Sequence, residues 1–504
     1  MSEAGATTVR GYDYRRGKDG LRVYRDAGFA VTGILMWSPG KPRRFPVDDL
    51  DGFARYVTKQ VGTFGDYIRH WEVWNEPPNG TTDTSAASYA KIVSTAHHTA
   101  KALDSQQQIG LATKSVHIRF LADAISAGAR GKFDFISLHP YETAALLRQG
   151  WELPFLGIAS NVRAMLRALD PGKQHVPIWF TEVGVELGGR APAQLGEAHQ
   201  AETLVKIYTL GLAQGIGHIH WFDPRDSEGK QHGLLRRDGS QRPAYRALST
   251  LTRALGKNPE WKGFVELSAN SYGFLFGARG ANVLVAWTRA DASDKEELIL
   301  PQAVSTTDFL RGREDKVERV ELSTAPLLLR AAAGSKTAAA WRAKTTATVP
   351  ASWLCSVEGH TVQLVAGERA CGLHMVEPPR AEQGPGSAEL SLSGRSVARF
   401  AVDPQLIGYG DRTLEVTAVV RGHGRGKAGF NLKYEADRPL DRVNDSGMVG
   451  AGGWNHVHGD APTTLHWRVK DARFVGKYGV NLAIDCDSRT FCDFSLLRLS
   501  VRRL

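Results

Sequence analysis

The chain has 504 residues, more than one hydrophobic core usually holds, so we expect two or three domains. Its formal net charge of +10 is spread along the sequence without a basic block, and no apolar run reaches the roughly 18 residues that span a bilayer. These features argue against a nucleic-acid partner and against insertion into a membrane.

The first half of the chain alternates short apolar runs with amphipathic stretches of helical spacing. This alternation of strand and helix is typical of a parallel sheet with helical crossovers. We therefore predict a TIM-type (β/α)8 barrel over residues 1–257. The apolar runs predict seven strands, at residues 7–11, 29–37, 70–76, 108–113, 133–141, 176–184 and 217–224.

A TIM barrel needs eight strands, and we assign the missing one to the front of the barrel. The segment SEAG resembles the end of a first helix, and TTVRG resembles a second strand. We therefore expect the chain to start inside the barrel, N-terminally incomplete and lacking its first strand. The start MSEAGATTVRG also lacks the apolar segment of a signal peptide. A true seven-stranded or open sheet is the alternative.

Beyond residue 257 the helical patterns give way to short strands separated by turn residues. We predict a small antiparallel β-sandwich over residues 258–332, a linker at AAAGSKTAAA (331–340) and a second, jelly-roll-like β-sandwich over residues 341–504. The last domain either binds carbohydrate, with the loop residue Trp454 as the best candidate, or buries its aromatic residues in its core. Both interpretations stay open.

All four cysteines lie in this last region, at positions 355, 371, 486 and 492. Two local disulfides, Cys355 with Cys371 and Cys486 with Cys492, would suit an oxidising compartment. Four buried free thiols are an equally good interpretation. No CxxC spacing occurs, so the sequence does not predict a zinc site.

Two predicted strands end in glutamates. Strand HWEVWNE ends at Glu76, before two prolines, and VPIWFTEVG carries Glu182 near its end. Alternation along a strand would place Glu72, Trp74 and Glu76 on one face. We interpret Glu72 as a buried structural charge whose cationic partner the sequence does not identify. Two carboxylates at the carboxyl-terminal mouth of a barrel are what glycoside hydrolysis requires.

These strand-end motifs also carry a resemblance to a known family. WNEP and FTEVG, with VRG, SLHPY and HWFD at other strand ends, resemble the clan A glycoside hydrolases. The run from DAGFAVTGILMWSPG to WEVWNEPPNG is most similar to the family 39 type, which includes β-xylosidases, α-L-iduronidases and exopolysaccharide hydrolases. The resemblance covers residues 5–256, and several motifs in the correct strand order make it specific.

The resemblance implies a retaining double displacement in which Glu76 is the general acid/base and Glu182 is the nucleophile. It also implies that Arg10 and Tyr141 keep Glu182 ionised and oriented. No cofactor and no metal ion are implied.

Three further residues match substrate-binding positions of the family. Asn75 would hydrogen-bond the 2-hydroxyl of the sugar, and Trp221 would form the floor under the ring. His139 would bind substrate or hold a loop, although a histidine that only packs in the core is the alternative.

The expected function is therefore a retaining glycoside hydrolase acting on a polysaccharide or oligosaccharide, secreted or periplasmic. The alternative is a non-catalytic carbohydrate-binding protein on an incomplete barrel. Geometry separates the two, because a retaining enzyme holds its carboxyl groups about 5–5.5 Å apart and an inverting enzyme about 6.5–9.5 Å apart. The particular sugar, exo or endo action and the oligomeric state stay open.

Overall fold

The structure is a computed structural model. It describes residues 1–11, 17–38, 43–79, 85–187, 196–227, 229–290, 295–310, 312–354, 361–366, 371–377, 389–394, 397–423, 428–438, 447–475, 479–486 and 492–504. None of the helices in these ranges is both long and apolar enough to cross a membrane.

The chain divides into two compact units. The first comprises Met1–Ser115, Asp123–Ala159 and His175–Trp353, and the second comprises Val116–Ala122, Ser160–Gln174 and Leu354–Leu504.

Seven parallel strands form the central sheet of the first unit, in the order in which they occur along the chain. All seven correspond to the predicted strands. They are β1 (Thr8–Arg10), β2 (Ala30–Leu35), β3 (Ile68–Val73), β4 (Gln108–Ala112), β5 (Phe135–Leu138), β6 (Ile178–Val183) and β7 (Ile219–Trp221).

Helices follow the strands, as the helical spacing predicts. Where the ends are capped, the caps come from side chains: Asp49 Oδ1 accepts from the Gly52 amide at 2.8 Å, and Ser85 Oγ accepts from the Ser88 amide at 3.3 Å. The helices are α1 (Lys18–Asp26), α2 (Leu50–Phe64), α3 (Ala86–Leu103), α4 (Ile118–Ala124), α5 (Tyr141–Ala145), α6 (Glu152–Leu169), α7 (Glu197–Ala213) and α8 (Pro243–Leu255).

The two outer strands of this sheet come together. His220 Nε2 on β7 lies 2.9 Å from Thr8 Oγ1 on β1, although within the described ranges no backbone ladder joins these two strands. The sheet is therefore an almost closed barrel, and the prediction of a TIM-type fold is confirmed with seven strands described.

The region after the barrel is an antiparallel sheet, also in the first unit. Seven strands form it in the order β12-β11-β13-β10-β9-β8-β14. Their bounds are β8 (Glu260–Val265), β9 (Ser271–Ala278), β10 (Ala281–Thr288), β11 (Glu296–Asp308), β12 (Glu314–Leu322), β13 (Leu327–Ala332) and β14 (Thr345–Thr346).

The stretch expected to be a linker, residues 331–340, belongs to this sheet instead. It completes β13 and begins helix α9 (Lys336–Ala343), whose N-terminus is capped by Ser335. Thr337 Oγ1 donates to the Gln302 carbonyl at 2.7 Å, and Trp341 is buried in the apolar core. The alanines that suggest a low-complexity linker are good helix formers, and the capping serine and the tryptophan fix them on the sheet.

The second unit contains a β-sandwich of two antiparallel sheets, and the predicted β-rich tail is confirmed. One sheet has the order β15-β25-β19-β23, with β17 paired to β25, and the other has the order β16-β18-β24-β20-β21, with β22 paired to β20. Their inner faces share one apolar core. The strands are β15 (Thr361–Val365), β16 (Leu373–Glu377), β17 (Leu390–Gly394), β18 (Val397–Val402), β19 (Leu414–Gly422), β20 (Ala428–Glu435), β21 (Met448–Gly450), β22 (Asn455–Val457), β23 (Thr463–Val469), β24 (Leu482–Asp485) and β25 (Cys492–Arg503).

Two cysteines of this unit, Cys371 and Cys486, are disulfide-bonded. For these two the free-thiol alternative is wrong, and the pairing of Cys371 with Cys355 and of Cys486 with Cys492 stays a prediction. Residue 355 and the side chain of residue 492 lie outside the described part of the chain. The division into three domains at the predicted boundaries stays a prediction.

Candidate active site

The end of strand β3 departs from the alternation that the sequence suggests. The strand stops at Val73, and Trp74 (φ 67°) and Glu76 (φ 49°) adopt left-handed backbone conformations. The expectation that Glu72, Trp74 and Glu76 share one face is therefore wrong. Trp74 is buried against Phe45, with ring centroids 5.0 Å apart. Left-handed conformations cost non-glycine residues about 1–2 kcal/mol each, so the surrounding structure holds this segment in place.

The turn brings Glu76 to the carboxylate at the end of β6. One side-chain donor or acceptor atom from each of Glu76, His139 and Glu182 lies within 4.8 Å of the others. The two glutamates lie at the carboxyl-terminal ends of β3 and β6, and His139 directly follows β5. This separation is close to that of a retaining pair and well below the roughly 6.5–9.5 Å of an inverting one.

Glu182 receives hydrogen bonds on both of its oxygens. Arg10 Nη1 donates to Oε1, and the Tyr141 hydroxyl donates to Oε2 at 3.0 Å. Burial raises the pKa of Tyr141, and the negative charge of Glu182 raises it further. Tyr141 therefore keeps its proton and acts as a fixed donor to the Glu182 carboxylate.

Arg10 is also the cationic partner of Glu72. Its Nε donates to Glu72 Oε2 and its Nη2 to Oε1, both at 2.8 Å. Glu72 is fully buried; burial raises its pKa, but the charge and hydrogen bonds of Arg10 outweigh burial and lower the pKa overall. Nη2 also donates to Asn75 Oδ1 at 2.8 Å. One guanidinium thus orients three side chains.

Glu76 has different partners from Glu182. Its Oε1 lies 3.1 Å from His139 Nδ1, and its Oε2 accepts from Asn79 Nδ2 at 3.1 Å. Burial raises the pKa of Glu76, but the hydrogen bond and the charge of His139, with a smaller contribution from Asn79, lower it to about 2. The contacts of Glu76 in the open site therefore favour its ionised form, with His139 as the main cause.

His139 touches both catalytic candidates. It is 1% exposed, its Nδ1 lies 3.7 Å from Glu182 Oε2, and its Nε2 lies 3.1 Å from Thr181 Oγ1. The residue is therefore neither a histidine that only packs in the core nor a freely exposed substrate ligand. It fixes Glu76 through one ring nitrogen while Thr181 fixes the other.

Trp221 lies at the end of β7 and is held from the loop that follows. Its Nε1 donates to the His232 carbonyl at 3.0 Å, and the residue is 8% exposed. Arg242 anchors this loop through two hydrogen bonds to Asp226, both of 2.7 Å. The buried tryptophan presents at most one ring edge or face to a ligand.

The ends of β6 and β7 approach closely at Gly184. A Cβ atom added there would lie 2.2 Å from the Phe222 carbonyl oxygen, well inside van der Waals contact. The glycine after Glu182 is therefore required by packing, and it sets the spacing between Glu182 and the strand that carries Trp221.

The seven site residues predicted from the sequence all lie in or beside the cluster around Glu76, His139 and Glu182. Three contributors were missed: Asn79, Thr181 and His232. Asn79 carries a weak signal, because it follows Glu76 at turn spacing in NEPPN. Thr181 and the His232 carbonyl carry none, since each acts through a contact that only the assembled barrel creates.

The chemistry of the site is set by how its donors are distributed. Glu182 accepts hydrogen bonds from an arginine and a tyrosine, whereas Glu76 contacts a histidine and an asparagine. Glu76, His139 and Glu182 are also donor types that bind divalent cations. However, both oxygens of Glu182 accept from protein donors, and the Arg10 guanidinium repels a cation. The arrangement suits a nucleophile and an acid/base facing one another.

No protein-family model and no curated protein matches the chain. Similar solved structures include a family 39 glycoside hydrolase from Bacteroides cellulosilyticus WH2, with 18% identity and a TM-score of 0.49 over 65% of this chain and 76% of that one. A monomeric β-xylosidase from Caulobacter crescentus CB15 matches with 16% identity and a TM-score of 0.42 over 65% and 90%. An α-L-arabinofuranosidase from Thermotoga maritima matches with 11% identity and a TM-score of 0.46 over 65% and 88%.

Proposed function

We propose that this protein is a retaining glycoside hydrolase that cleaves a polysaccharide or oligosaccharide, with Glu182 as nucleophile and Glu76 as general acid/base. The observation that carries the proposal is the approach of the two carboxylates to within 4.8 Å around His139. Their unequal surroundings support unequal roles, because a pair of catalytic carboxyls must differ in protonation.

The reaction proceeds by two displacements at the anomeric carbon. In the first, a Glu182 oxygen forms a bond to that carbon as the glycosidic C–O bond breaks, and the proton of Glu76 passes to the departing oxygen. In the second, Glu76 takes a proton from water, the water oxygen attacks the anomeric carbon and the bond to Glu182 breaks. The sugar leaves with its original anomeric configuration, and both glutamates return to their starting states.

The first displacement requires a proton on Glu76. In the open site, the charge and hydrogen bond of His139 hold the pKa of Glu76 at about 2 against the effect of burial. A bound glycan displaces water and lowers the local polarity, which raises the pKa of Glu76 and favours its protonated form. His139 Nδ1, 3.1 Å from Glu76 Oε1, keeps this carboxyl group in place throughout.

Two neighbouring residues bind the sugar. Asn75 has its Oδ1 held by Arg10, so its NH₂ group is left to donate to a hydroxyl such as the 2-hydroxyl. Trp221, fixed by the His232 carbonyl, provides an apolar surface for the ring.

We also propose a secreted or periplasmic location. The disulfides at Cys371 and Cys486 support it, because disulfides persist in oxidising compartments. Expression with and without export should separate the cases, since an exported chain would lack titratable thiols at both positions. Full activity with reduced thiols in the cytoplasm would contradict this location.

The test of the activity is a hydrolysis screen over plant, microbial and uronic-acid-containing glycans, run with Glu182→Gln, Glu76→Gln and the exposed control Glu318→Gln. We expect Glu182→Gln to be inactive on every glycan and Glu318→Gln to match the wild type. Glu76→Gln should lose about 10²–10⁴-fold on natural glycosides. It should lose far less on an aryl glycoside, whose leaving group needs no proton.

Two results would decide against the proposal. Nuclear magnetic resonance of the first product should show retained configuration, and inversion would assign a water rather than Glu182 as the nucleophile. Binding of a glycan without hydrolysis, unchanged in Glu182→Gln, would favour the non-catalytic carbohydrate-binding alternative.

A further inference from the structure

A cavity lies at the opposite end of the barrel from the two glutamates. It has a volume of about 550 Å³ and is lined by the end of α8, by β8 and by the β9–β10 hairpin. It shares Gly256, Lys257 and Arg279 with a smaller cavity of about 230 Å³ that reaches Thr7, just before β1. The cavity therefore lies at the amino-terminal face of the strands, and its volume falls in the range typical of small-molecule sites.

The walls of the larger cavity carry an excess of positive charge. Lys257, Lys262 and Arg279 line it, against one carboxylate, Glu260. Lys262 pairs with that carboxylate at 2.6 Å. Neither Lys257 nor Arg279 has an ion-pair partner in the described part of the chain. The Lys257 ammonium and the Arg279 guanidinium are thus left to attract an anion.

Arg279 occupies a backbone position that arginine does not favour. Ala278 pairs with Ala281 across the hairpin, so Arg279 (φ 48°) and Gly280 (φ 71°) form its two-residue loop. Such loops favour asparagine or aspartate before the glycine. The side chain passes over Gly256, with Nε 3.5 Å from the point that a Cβ on this glycine would occupy. An unfavourable backbone conformation held at a cavity is a pointer to function.

The cavity also has an unsatisfied buried donor. Asn282 on β10 lines it, is 4% exposed and has an amide Nδ2 without a hydrogen-bond partner in the described ranges. Buried polar groups without partners are rare in folded proteins. A rotation of this amide toward the cavity would pair it with an oxygen of a bound molecule.

We propose that this cavity binds an acidic sugar residue, with its carboxylate between Lys257 and Arg279 and a ring oxygen or hydroxyl at Asn282. The wall also includes Ala278, Ala281 and Ala333, whose apolar surface suits the C–H face of a pyranose better than an inorganic ion. The choice of a sugar rests on the proposed function, since a uronate here would belong to the glycan that the opposite face hydrolyses. The site thus holds an acidic polymer away from the point of cleavage.

Titration calorimetry on the full chain tests the site without relying on catalysis. The probes are glucuronic acid and a digalacturonate, with glucose and inorganic phosphate as comparators. We expect the uronates to bind, glucose to bind at least about tenfold more weakly and the affinity to fall with added salt. Glu182→Gln should bind them as the wild type does, so a failure of the hydrolysis screen would leave this measurement intact.

The informative variant is Arg279→Asn, with Arg319→Asn on the exposed face of the same sheet as its control. Asparagine suits the hairpin position, so Arg279→Asn should raise the melting temperature and yet weaken uronate binding about tenfold or more. Lys257→Gln should weaken binding similarly, and the control should change neither quantity. Unchanged affinity in a stable Arg279→Asn protein would overturn the proposal. So would equal binding of glucose, binding of phosphate alone, or loss of uronate binding in Glu182→Gln.

Discussion

Ionisable side chains have different neighbours in the two halves of the barrel interior. Toward the carboxyl-terminal end, Arg10, Glu72, Glu76, His139 and Glu182 form one connected set of hydrogen bonds and ion pairs. Toward the amino-terminal end, aromatic and imidazole rings stack on one another. There the contacting rings are His70, Phe135, Trp179, His218 and His220.

In the half toward the amino-terminal end, called the lower half below, the histidines are kept neutral. His218 stacks on Trp179 with centroids 4.1 Å apart, and the Nδ1 atoms of His218 and His220 are buried without a hydrogen-bond partner in the described residues. Burial, with the repulsion of His218, lowers the pKa of His220 to about 3 and that of His70 to about 4. Histidines that pack among rings are thus kept neutral, whereas His139 lies within reach of two carboxylates and lowers the pKa of one of them.

The largest effect on stability and activity should come from replacing Arg10, which joins the hydrogen bonds and ion pairs at the carboxyl-terminal end. Arg10→Met removes the guanidinium that pairs with the buried carboxylate of Glu72, and breaking a buried ion pair typically costs about 3–5 kcal/mol; it also removes a donor from Glu182. We expect a marked loss of melting temperature together with near-complete loss of activity.

A double variant separates these two losses. Arg10→Met with Glu72→Leu replaces the buried pair by apolar side chains, a change that is often neutral or stabilising. Its melting temperature should recover toward the wild-type value while activity stays absent. Recovery of activity along with stability would show that Arg10 acts only on the fold.

A smaller effect, on the pH profile, should follow from His139→Gln. Glutamine can still donate a hydrogen bond to Glu76, but it carries no charge. We expect kcat/KM to fall up to about 10²-fold and its basic limb to move to higher pH, because the charge of His139 lowers the pKa of Glu76 and its removal raises that pKa.

Tyr141→Phe is the matched control for this shift. It removes a donor from Glu182 rather than from Glu76, so activity should fall roughly 10–100-fold while the basic limb stays in place. An unshifted basic limb in His139→Gln would contradict the control of the Glu76 pKa by His139.

The smallest effect concerns acid stability and comes from the lower half. Because the folded pKa values of His70 and His220 lie below the unfolded value of about 6.5, the unfolded chain binds more protons between these limits. Above pH 6.5 these two histidines should therefore add no pH dependence to the free energy of unfolding. Below pH 6.5 they should make it fall as the pH drops.

Melting temperatures measured between pH 7.5 and about 4.5 report this decline. Each kcal/mol lost from the free energy of unfolding lowers the melting temperature by roughly 2–4 °C. The double variant His70→Phe/His218→Phe keeps the stacked rings but removes two titrating groups, and it should flatten the curve. His175→Gln, on the surface, should not. A decline of equal steepness in the double variant would assign the acid sensitivity to other groups.

The sequence predicts the barrel and the two glutamates at its mouth because both depend on local patterns. Seven apolar runs separated by helical spacing specify parallel strands, and the carboxyl-terminal ends of such strands meet at one mouth. That geometry brings Glu76, His139 and Glu182 together without knowledge of any individual contact.

What the sequence does not predict depends on pairs far apart along the chain or on backbone conformation. Arg10 and Glu72 are 62 residues apart, and β2 separates their strands. The left-handed turn at Trp74 and Glu76 involves residue types that rarely adopt it, so no propensity signals it. In residues 331–340 the composition suggests a linker, but burial of Trp341 makes the segment a helix.

The close approach at Gly184 bears on how this sequence can vary. Any side chain at this position would collide with the Phe222 carbonyl and push β7 away from β6, carrying the tryptophan away from the nucleophile. Because the collision is with a backbone atom, the restriction belongs to the fold and does not depend on whether a related chain cleaves glycans. The residue after FTEV should therefore remain glycine in related genomes even where Glu76 or Glu182 has been replaced.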